Sequence, residues 1–445
     1  ISIFVPDSHL QMNPIKVYKI PRSEVDFFVF YSDQIKDKKV FKYFIMITEA
    51  QKDLIKGTIP VLKEHGVALT SYFYKRMFTH NPELKHIFNM GNQQNARQQT
   101  ALATAVLAYA EHIDNPSVLL SAVKHIGQKH SSLNIRPEHY QIVGKHLLAS
   151  IQEVLGDASS DELIEAWKVA YFQLADLMIG LEKEMYDQMI QREGGWTGWK
   201  PFNIVKIVSE TAEIQSIYLE PTDGGQLPKH TAGQYVSVRV YLPELHIYQP
   251  RQYSLSDASN GKYLRISVKK EATAGKPDGM VSNYIHEYFQ VGKQLELTAP
   301  MGSFNLIENE QPHVFISGGV GQTPLMAMLE QLVHTKGQNA VTWIHGCRNA
   351  NLHAFKERLL SLETEHGNIN CFSFYDEIQD SDNSNLSGWV DLAKIDADHL
   401  PQKANYYLCG PSGFINKHYQ YLIDQGIENT NIHFEEFGPA SLQLN

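Results

Sequence analysis

Apolar and polar positions follow three different rhythms along the chain, and the changes of rhythm divide it. From residue 49 to about 190, apolar residues recur at three- and four-residue intervals. Helix stops at "HNP" (80 to 82), "DNPS" (114 to 117), "IRPE" (135 to 138) and "LGDASSDE" (155 to 162) interrupt them, which predicts an all-α block. After "GGWTGW" (194 to 199) short β-rich runs take over, among them "FNIVKIVS", "EIQSIYLE", "QYVSVRVYL" and "YLRISVKK", with turn residues between them at the spacing of a small antiparallel barrel. From about residue 312 the strands "HVFISG", "AVTWIHG", "NINCFSFY" and "NYYLCG" alternate with helical stretches, which predicts βαβ units and a parallel sheet. "DEIQDSDNSNLSG" (376 to 388) is expected to be a polar surface loop. Residues 1 to 45 keep no sustained period, and their basic cluster follows the first apolar stretch, the reverse of a signal peptide. Regularity begins at Met46, so Met46 is the expected natural start and residues 1–45 an upstream extension, a docking segment being the alternative.

Composition narrows the class. A chain of 445 residues suggests about three domains, and 43% hydrophobic with 20% charged residues is an ordinary globular balance. The net charge of −10 weighs against a nucleic-acid partner, which calls for a basic surface. Cys347, Cys371 and Cys409 are odd in number and widely spaced, without metal-ligand rhythm, so neither a disulfide framework nor a cysteine metal site is expected and a cytoplasmic location is the default. The longest apolar run, "ALATAVLAYA" (101 to 110), is about half of what a bilayer crossing needs, so no membrane span is expected. A soluble enzyme acting on small molecules fits this picture, and a monomer is expected.

Candidate chemistry enters with "FISGGVGQTPLMAML" (315 to 329), a strand, a glycine-rich turn and a helix. Gly319 and Gly321 can take positive φ and let a phosphate approach the backbone. Thr323 and Pro324 read as N-cap and first helical residue of a helix whose free amides favour an anion. The third glycine of the dinucleotide fingerprint is replaced by Pro324, and the second strand ends in "HGCR" without a ribose-binding carboxylate, so the ordinary dehydrogenase pattern is excluded. In "RQYSLS" (251 to 256), Arg251 could neutralise a pyrophosphate, Tyr253 lie against a flavin ring and Ser254 bond near its reactive nitrogen; an ordinary strand with one exposed arginine is the competing reading. "GMVSNYIHEY" (279 to 288) offers Ser282 as the cap of a second helix.

The helical block carries inward-facing polar groups. At 100° per residue, Leu119, Val123, Ile126 and His130 fall within about 60° of one another and His125 points away. Gln98 is in line with Leu102, Ala105 and Tyr109, and Tyr74 with Val67, Thr70 and Met77. A histidine on an apolar face is most often a packed core residue, and periodicity names no ligand; three polar groups turned inward from three helices is the less ordinary feature.

Taken in order with "YLCGPSGF" (407 to 414) and "FEEFGP" (434 to 439), the C-terminal motifs resemble the ferredoxin reductase family over about residues 200 to 440: an FAD-binding barrel followed by a pyridine-nucleotide domain. That resemblance implies that Tyr235, Arg251, Gln252, Tyr253 and Ser254 contact flavin, with Glu436, Phe437, Gly438 and Pro439 near its ring. It places the dinucleotide against Gly319, Val320, Gly321, Gln322, Thr323, Pro324, Cys409, Gly410 and Pro411. The helical runs "ALTSYFYKRMFTHNPELKHIFNM" (68 to 90), "GQKHSSLNIRPEHYQIVGKHLL" (127 to 148) and "AWKVAYFQLADLMIGLEKEMY" (166 to 186) are similar to the globin half of the flavohaemoglobins, the nitric oxide dioxygenase family.

The implied architecture is an extension over residues 1–45, an all-α globin fold over 46–190, an antiparallel FAD-binding β-barrel over 196–307 and an α/β parallel-sheet NAD(P)H-binding domain over 311–445. Within the family pattern His130 is the iron ligand of haem b and Phe88 the aromatic at the haem edge. Tyr74, Gln98 and Leu102 line the distal side, and Tyr140 and Glu182 bond the proximal histidine. Lys129 and Glu436 are candidates to tune potentials or domain contact, plain surface charge being the competing reading for Lys129. The implied reaction is oxidation of nitric oxide with O2 to nitrate at the expense of NADH or NADPH. An oxygen sensor or store with an attached haem reductase, and a haem-free flavin reductase, are the alternatives. Arg348, just past the second strand, could meet a 2′-phosphate or sit at the surface, and both readings stay open.

Overall fold

The computed structural model describes residues 47–94, 96–272, 279–378 and 386–437 (Gln94 by backbone only), together with the backbone of strands β1 (Lys16–Arg22), β2 (Val25–Tyr31) and β3 (Phe44–Ile45). Met46, Gly438 and Pro439 lie outside the described residues. Two compact units form: Ile1–His80, Gln99–Ser121 and Arg136–Leu181 in one, Asn81–Gln98, Ala122–Ile135 and Glu182–Asn445 in the other.

In the first unit β1 pairs antiparallel with β2 and β2 with β3, regular structure that the aperiodic sequence there did not predict. Helix α1 (Glu49–Gly57) opens on a reciprocal capping box: the Gln51 amide donates to Thr48 Oγ1 at 3.2 Å and the Thr48 amide to Gln51 Oε1 at 3.0 Å. Helix α2 (Ile59–His80) buries Leu62, Leu69, Thr70, Phe73, Tyr74 and Met77. Val67, expected on the same stripe as Tyr74, is 44% exposed instead. Periodicity fixes the angular face of a helix but not whether a neighbour reaches that height. Most of α4 (Arg97–Glu111), α6 (Pro137–Leu155) and the first part of α7 (Asp161–Gln191) complete this unit. Close approaches are set by small residues: a Cβ on Gly144 would stand 2.4 Å from the Tyr171 ring, whose hydroxyl donates to the Tyr140 carbonyl at 2.6 Å.

The second unit contains the short helix α3 (Met90–Gln94), most of α5 (Leu120–Ser132), the end of α7 and two sheets. Strands β4 (Lys200–Ser209), β5 (Ile214–Pro221), β6 (Tyr235–Leu242), β7 (Ile247–Ser254), β8 (Leu264–Lys269) and β9 (Gln294–Leu297) form an antiparallel sheet in the order β7-β6-β9-β4-β5-β8. The Leu255↔Ile266 bridge brings the end of β7 to β8, so the sheet closes on itself around Phe202, Ile217, Val236, Val238 and Ile266. Helix α8 (Met280–Tyr288) packs against this core through Val281 and Ile285. Ser282 does not cap it: the helix starts at Met280, and Ser282, already in the first turn, donates its hydroxyl to the Gly279 carbonyl at 3.2 Å.

The other sheet is parallel. Strands β10 (His313–Gly318), β11 (Val341–Cys347), β12 (Ile369–Tyr375), β13 (Leu386–Ser387), β14 (Asn405–Gly410) and β15 (Ile432–Glu436) stand in the order β13-β12-β11-β10-β14-β15. Helices α9 (Gln322–His334), α10 (Lys356–Glu365) and α11 (Ser412–Asp424) are the crossovers. Sequence order runs outward from β10 to one edge and then jumps to β14, so the switch point lies at the carboxyl ends of β10 and β14, where open α/β sheets bind ligands. Strands β13 and β15 fall in segments read as a loop and as a terminal motif; two to five residues of edge strand leave no period to detect.

Candidate functional site

The two units divide the expected site residues. Tyr74, Leu102 and Tyr140 belong to the first; Phe88, Gln98, Lys129, His130, Glu182 and every described residue expected at flavin or dinucleotide belong to the second. In the first unit, Tyr74 is buried and burial holds its phenol well above the ordinary range, so it stays protonated. The Thr70 hydroxyl on the same helix donates to the Gln99 carbonyl at 2.9 Å.

In the second unit, His130 Nδ1 stands 2.9 Å from Glu182 Oε1, the pairing expected from the sequence, although the two are 52 residues apart. Glu182 is 2% exposed, so its carboxylate acts from a dry position. A carboxylate on Nδ1 fixes the imidazole's orientation and directs any metal to Nε2. The end of α5 is clamped to the end of α7 around this pair: the Tyr186 hydroxyl donates to the Ile135 carbonyl at 2.8 Å, and Gly127 leaves room for Met185 Cε at 3.5 Å from where a Cβ would be. Among the described residues no group of three or more His, Cys, Asp or Glu could hold a bare metal ion. A lone imidazole with an anchored Nδ1 therefore suits a metal that arrives in its own macrocycle.

Strand β7 carries the flavin-type residues. Arg251 is half-buried, its Nη1 donates to the Pro250 carbonyl at 2.7 Å, and it makes no ion pair among the described residues; burial pushes it down to about 10. A partly desolvated guanidinium without a carboxylate calls for an anion. Tyr253 and Tyr235 are both pushed up by burial. Gly302, at φ +122°, lets the chain pass within 3.1 Å (measured from a built Cβ) of the Tyr235 ring.

Two polar residues that the sequence reading passed over tie β7 to helical segments. Gln249, fully buried, donates from Nε2 to the Lys85 carbonyl at 2.8 Å and the Phe88 carbonyl at 3.2 Å, and accepts from the Met90 amide at 2.9 Å. Ser132, also fully buried, accepts from Gln252 Nε2 at 2.8 Å and from Ser237 Oγ at 3.2 Å, and donates to the Lys129 carbonyl at 2.8 Å. Neither has a sequence signal, because both are ordinary polar residues whose partners across to the other segment lie more than a hundred residues away. Glu435 was also passed over in favour of Glu436. Its Oε2 is shut away without a hydrogen-bond partner among the described residues, and burial raises it to about 8 against the pull of Lys129. Lys129 is in turn lowered by burial and raised by Glu435 and Glu436, while Glu436 accepts from the Ser412 hydroxyl.

At the switch point Gly319 takes φ +55°, as expected. Gly321 does not, its φ being −60°. It is glycine for space, since a Cβ there would stand 2.2 Å from the Cys409 carbonyl oxygen. Thr323 is likewise not the N-cap: a 3₁₀ turn, Gly319–Gly321, runs directly into α9, so the chain is already helical at Gln322 and the Thr323 hydroxyl donates to the Val320 carbonyl at 3.1 Å. Gln322, 1% exposed, has neither amide atom hydrogen-bonded among the described residues, an unmet polar group inside the glycine loop. The "CGP" segment stands beside it through the Ser317↔Cys409 register. Cys347, Cys371 and Cys409 are unpaired thiols, and burial pushes the first two up to about 12.

The globin family model matches residues 71–178 and the oxidoreductase NAD-binding domain model residues 315–419. The flavohemoprotein of Chromobacterium violaceum is 50% identical over 399 residues, covering 88% of this chain and 98% of its own. That of Bordetella pertussis is 50% identical over 403 residues, covering 89% and 100%. The chain belongs to the flavohemoprotein family. Among solved structures, the flavohemoglobin of Malassezia yamatoensis with bound FAD and heme superposes with a TM-score of 0.78 at 26% identity, over 88% of this chain and 100% of that one. The FAD/NAD-binding domain of the Vibrio cholerae nitric oxide dioxygenase superposes with a TM-score of 0.51 at 36% identity, over 54% of this chain and 99% of that one. A flavohemoprotein's three parts are present in sequence order here: a helical globin region, an antiparallel barrel and a parallel NAD-binding sheet.

Proposed function

We propose that this flavohemoprotein is a nitric oxide dioxygenase that uses a pyridine dinucleotide, FAD and haem b to oxidise nitric oxide with O2 to nitrate. The observation that carries the reading is the end of α5. His130 Nδ1 is anchored there by the buried Glu182 carboxylate, which suits it to the metal-ligand role we give it, and two residues on Ser132 is hydrogen-bonded to Gln252 of the flavin-type strand. When bound, the flavin supplies the conversion of a hydride pair into single electrons and the haem supplies dioxygen activation.

The chain's own residues do the rest. Arg251 neutralises the pyrophosphate, Tyr235 and Tyr253 present aromatic surface to the ring system, and Gly321 and Gln322 accept the dinucleotide at the switch point. Glu182, accepting the His130 Nδ1 proton, makes the imidazole a stronger donor and lowers the metal's potential. Tyr74, kept protonated by burial, and Gln98 are assigned the role of hydrogen-bond donors to negative charge that develops on the distal side. Gln98 Oε1 accepts from Gln93 Nε2 at 2.8 Å, which leaves its own amide hydrogens as the donors.

The test is rapid mixing of the reduced, oxygenated holoprotein with nitric oxide. Stoichiometric nitrate within the mixing time range supports the reading. Slow or absent nitrate with a stable oxygenated spectrum makes the protein an oxygen store, and a purified protein with flavin but no haem absorbance makes it a flavin reductase.

A further inference from the structure

The second strand of the parallel sheet lacks the carboxylate that a dinucleotide domain ordinarily offers to the adenosine ribose, and ends instead in Cys347 and Arg348. The structure brings a carboxylate there from elsewhere. Arg348 Nη2 donates to Glu213 Oε1, and Glu213 lies in the turn that leads into β5 of the barrel, 135 residues earlier in the chain. That turn is fixed: the Thr211 hydroxyl accepts from the amides of Glu213 and Ile214 at 3.1 and 3.0 Å, and the Lys270 amide donates to the Glu213 carbonyl at 2.7 Å.

More of this edge is built in the same sense. The Glu377 amide donates to the Arg348 carbonyl at 2.7 Å, and its carboxylate accepts from Asn349 Nδ2 at 3.0 Å. Asn349 Oδ1 is buried without a hydrogen-bond partner among the described residues. Glu213, Glu377 and Asp376 stand around this edge against Arg348 and Lys356, so carboxylates outnumber cations. At the same end of β11 and β12, Trp389 is 79% exposed, the most exposed of the large apolar side chains described. Its backbone is nonetheless held on both sides: the Gly388 amide donates to the Tyr375 carbonyl at 2.8 Å, Val390 packs so closely on Gly346 that a Cβ there would stand 2.6 Å from it, and Lys417 Nζ donates to the Val390 carbonyl at 2.8 Å. A solvent-facing indole carried on a fixed backbone at the carboxyl edge of the sheet is a stacking platform.

We propose that Glu213 is the cosubstrate selector. It supplies from the barrel the ribose-binding carboxylate that the second strand lacks, and by occupying Arg348 it closes that guanidinium to a 2′-phosphate, so the protein takes NADH in preference to NADPH, with the adenine on Trp389. This inference rests on the dinucleotide reading of the switch point given above. A 2′-phosphate brought to this edge meets two carboxylates and a guanidinium already paired, whereas a 2′-hydroxyl finds an acceptor on Glu213.

Calorimetric titration of the holoprotein with NAD+ and with NADP+ tests it without turnover. The wild type binds NAD+ about tenfold or more tighter than NADP+, the discrimination expected of one charged hydrogen-bonding contact. Glu213→Gln narrows that ratio by about tenfold, chiefly by tightening NADP+, and adding Arg348→Met to it removes the gain. Trp389→Ala weakens both dinucleotides alike, by about tenfold for one lost stacking contact. Equal affinities in the wild type, or a ratio untouched by Glu213→Gln, overturn the selector and leave the proposed activity standing. A holoprotein that binds neither dinucleotide at millimolar concentration, with flavin that NADH does not reduce, overturns both.

Discussion

The glycine loop at the switch point and the end of helix α5, the two places proposed to hold a cofactor, are built in opposite ways. The loop is built from its own backbone: Gly319 at φ +55°, Gly321 without room for a Cβ, a helix starting at once. Each of these is a property of a residue type at a position. The α5 site is built from side chains collected over long distances: Glu182 is 52 residues from His130, and Gln252 is 120 from Ser132. Backbone sites are written locally, and side-chain sites exist only after folding. The contrast predicts that the loop fails by steric collision and the α5 site by loss of partners.

The largest effect should come from His130→Ala. Haem affinity, read from the Soret absorbance per flavin, should fall by on the order of a hundredfold or more, since removing only a supporting partner of a ligand already costs about 10–100-fold. Flavin content and reduction by NADH should survive; loss of both together would show that the variant misfolds and that the two sites are not separable. Next comes Gly321→Ala. A Cβ that would meet the Cys409 carbonyl oxygen at 2.2 Å forces the loop apart, at a cost of about 1–3 kcal/mol, seen as a lower unfolding midpoint and weaker dinucleotide binding. Full retention of both would mean that the loop relaxes freely and that the backbone description of this site is wrong.

Ser132→Ala should be smaller. It leaves Gln252 Nε2 and the Ser237 hydroxyl without their acceptor, a loss of about 1–3 kcal/mol in stability, with slower flavin-to-haem electron transfer in stopped flow and unchanged hydride transfer to flavin. Unchanged electron transfer would reduce Ser132 to a packing residue.

The smallest effect is a pH dependence. Glu435 is raised to about 8 from an ordinary 4.5, so folding favours its protonated form. Its contribution is fully present below about 4.5 and is lost as pH climbs through about 8. Glu435→Gln should therefore gain on the wild type in unfolding midpoint as pH rises from 5 to 8, and a constant difference across that range would place Glu435 in water.

Much of the fold was legible because it rests on local rules. The period of 3.6 in the helical block, the short alternating runs of the barrel and the strand-helix alternation of the last region each survive folding unchanged. The misreadings come where two local rules compete or none applies. Thr323 is a good cap residue, but the 3₁₀ turn before it had already begun the helix. Val67 has the right angle and no cover. Of the candidate site, His130, Glu182, Arg251 and the two nucleotide loops were named through the family pattern, whereas Ser132, Gln249 and Glu435 carried no mark.

The sequence by itself determined three regions, their order, and which short segments can take an anion or carry a metal ligand, because glycine conformation, helix starts and hydrophobic period are set by residues a few positions apart. Only the tertiary structure decided which imidazole nitrogen is anchored, which of two adjacent glutamates has a carboxylate oxygen shut away from partners, and that a barrel carboxylate reaches the end of β11. Those outcomes depend on distance and desolvation, which are properties of packed neighbours and not of neighbours in the chain.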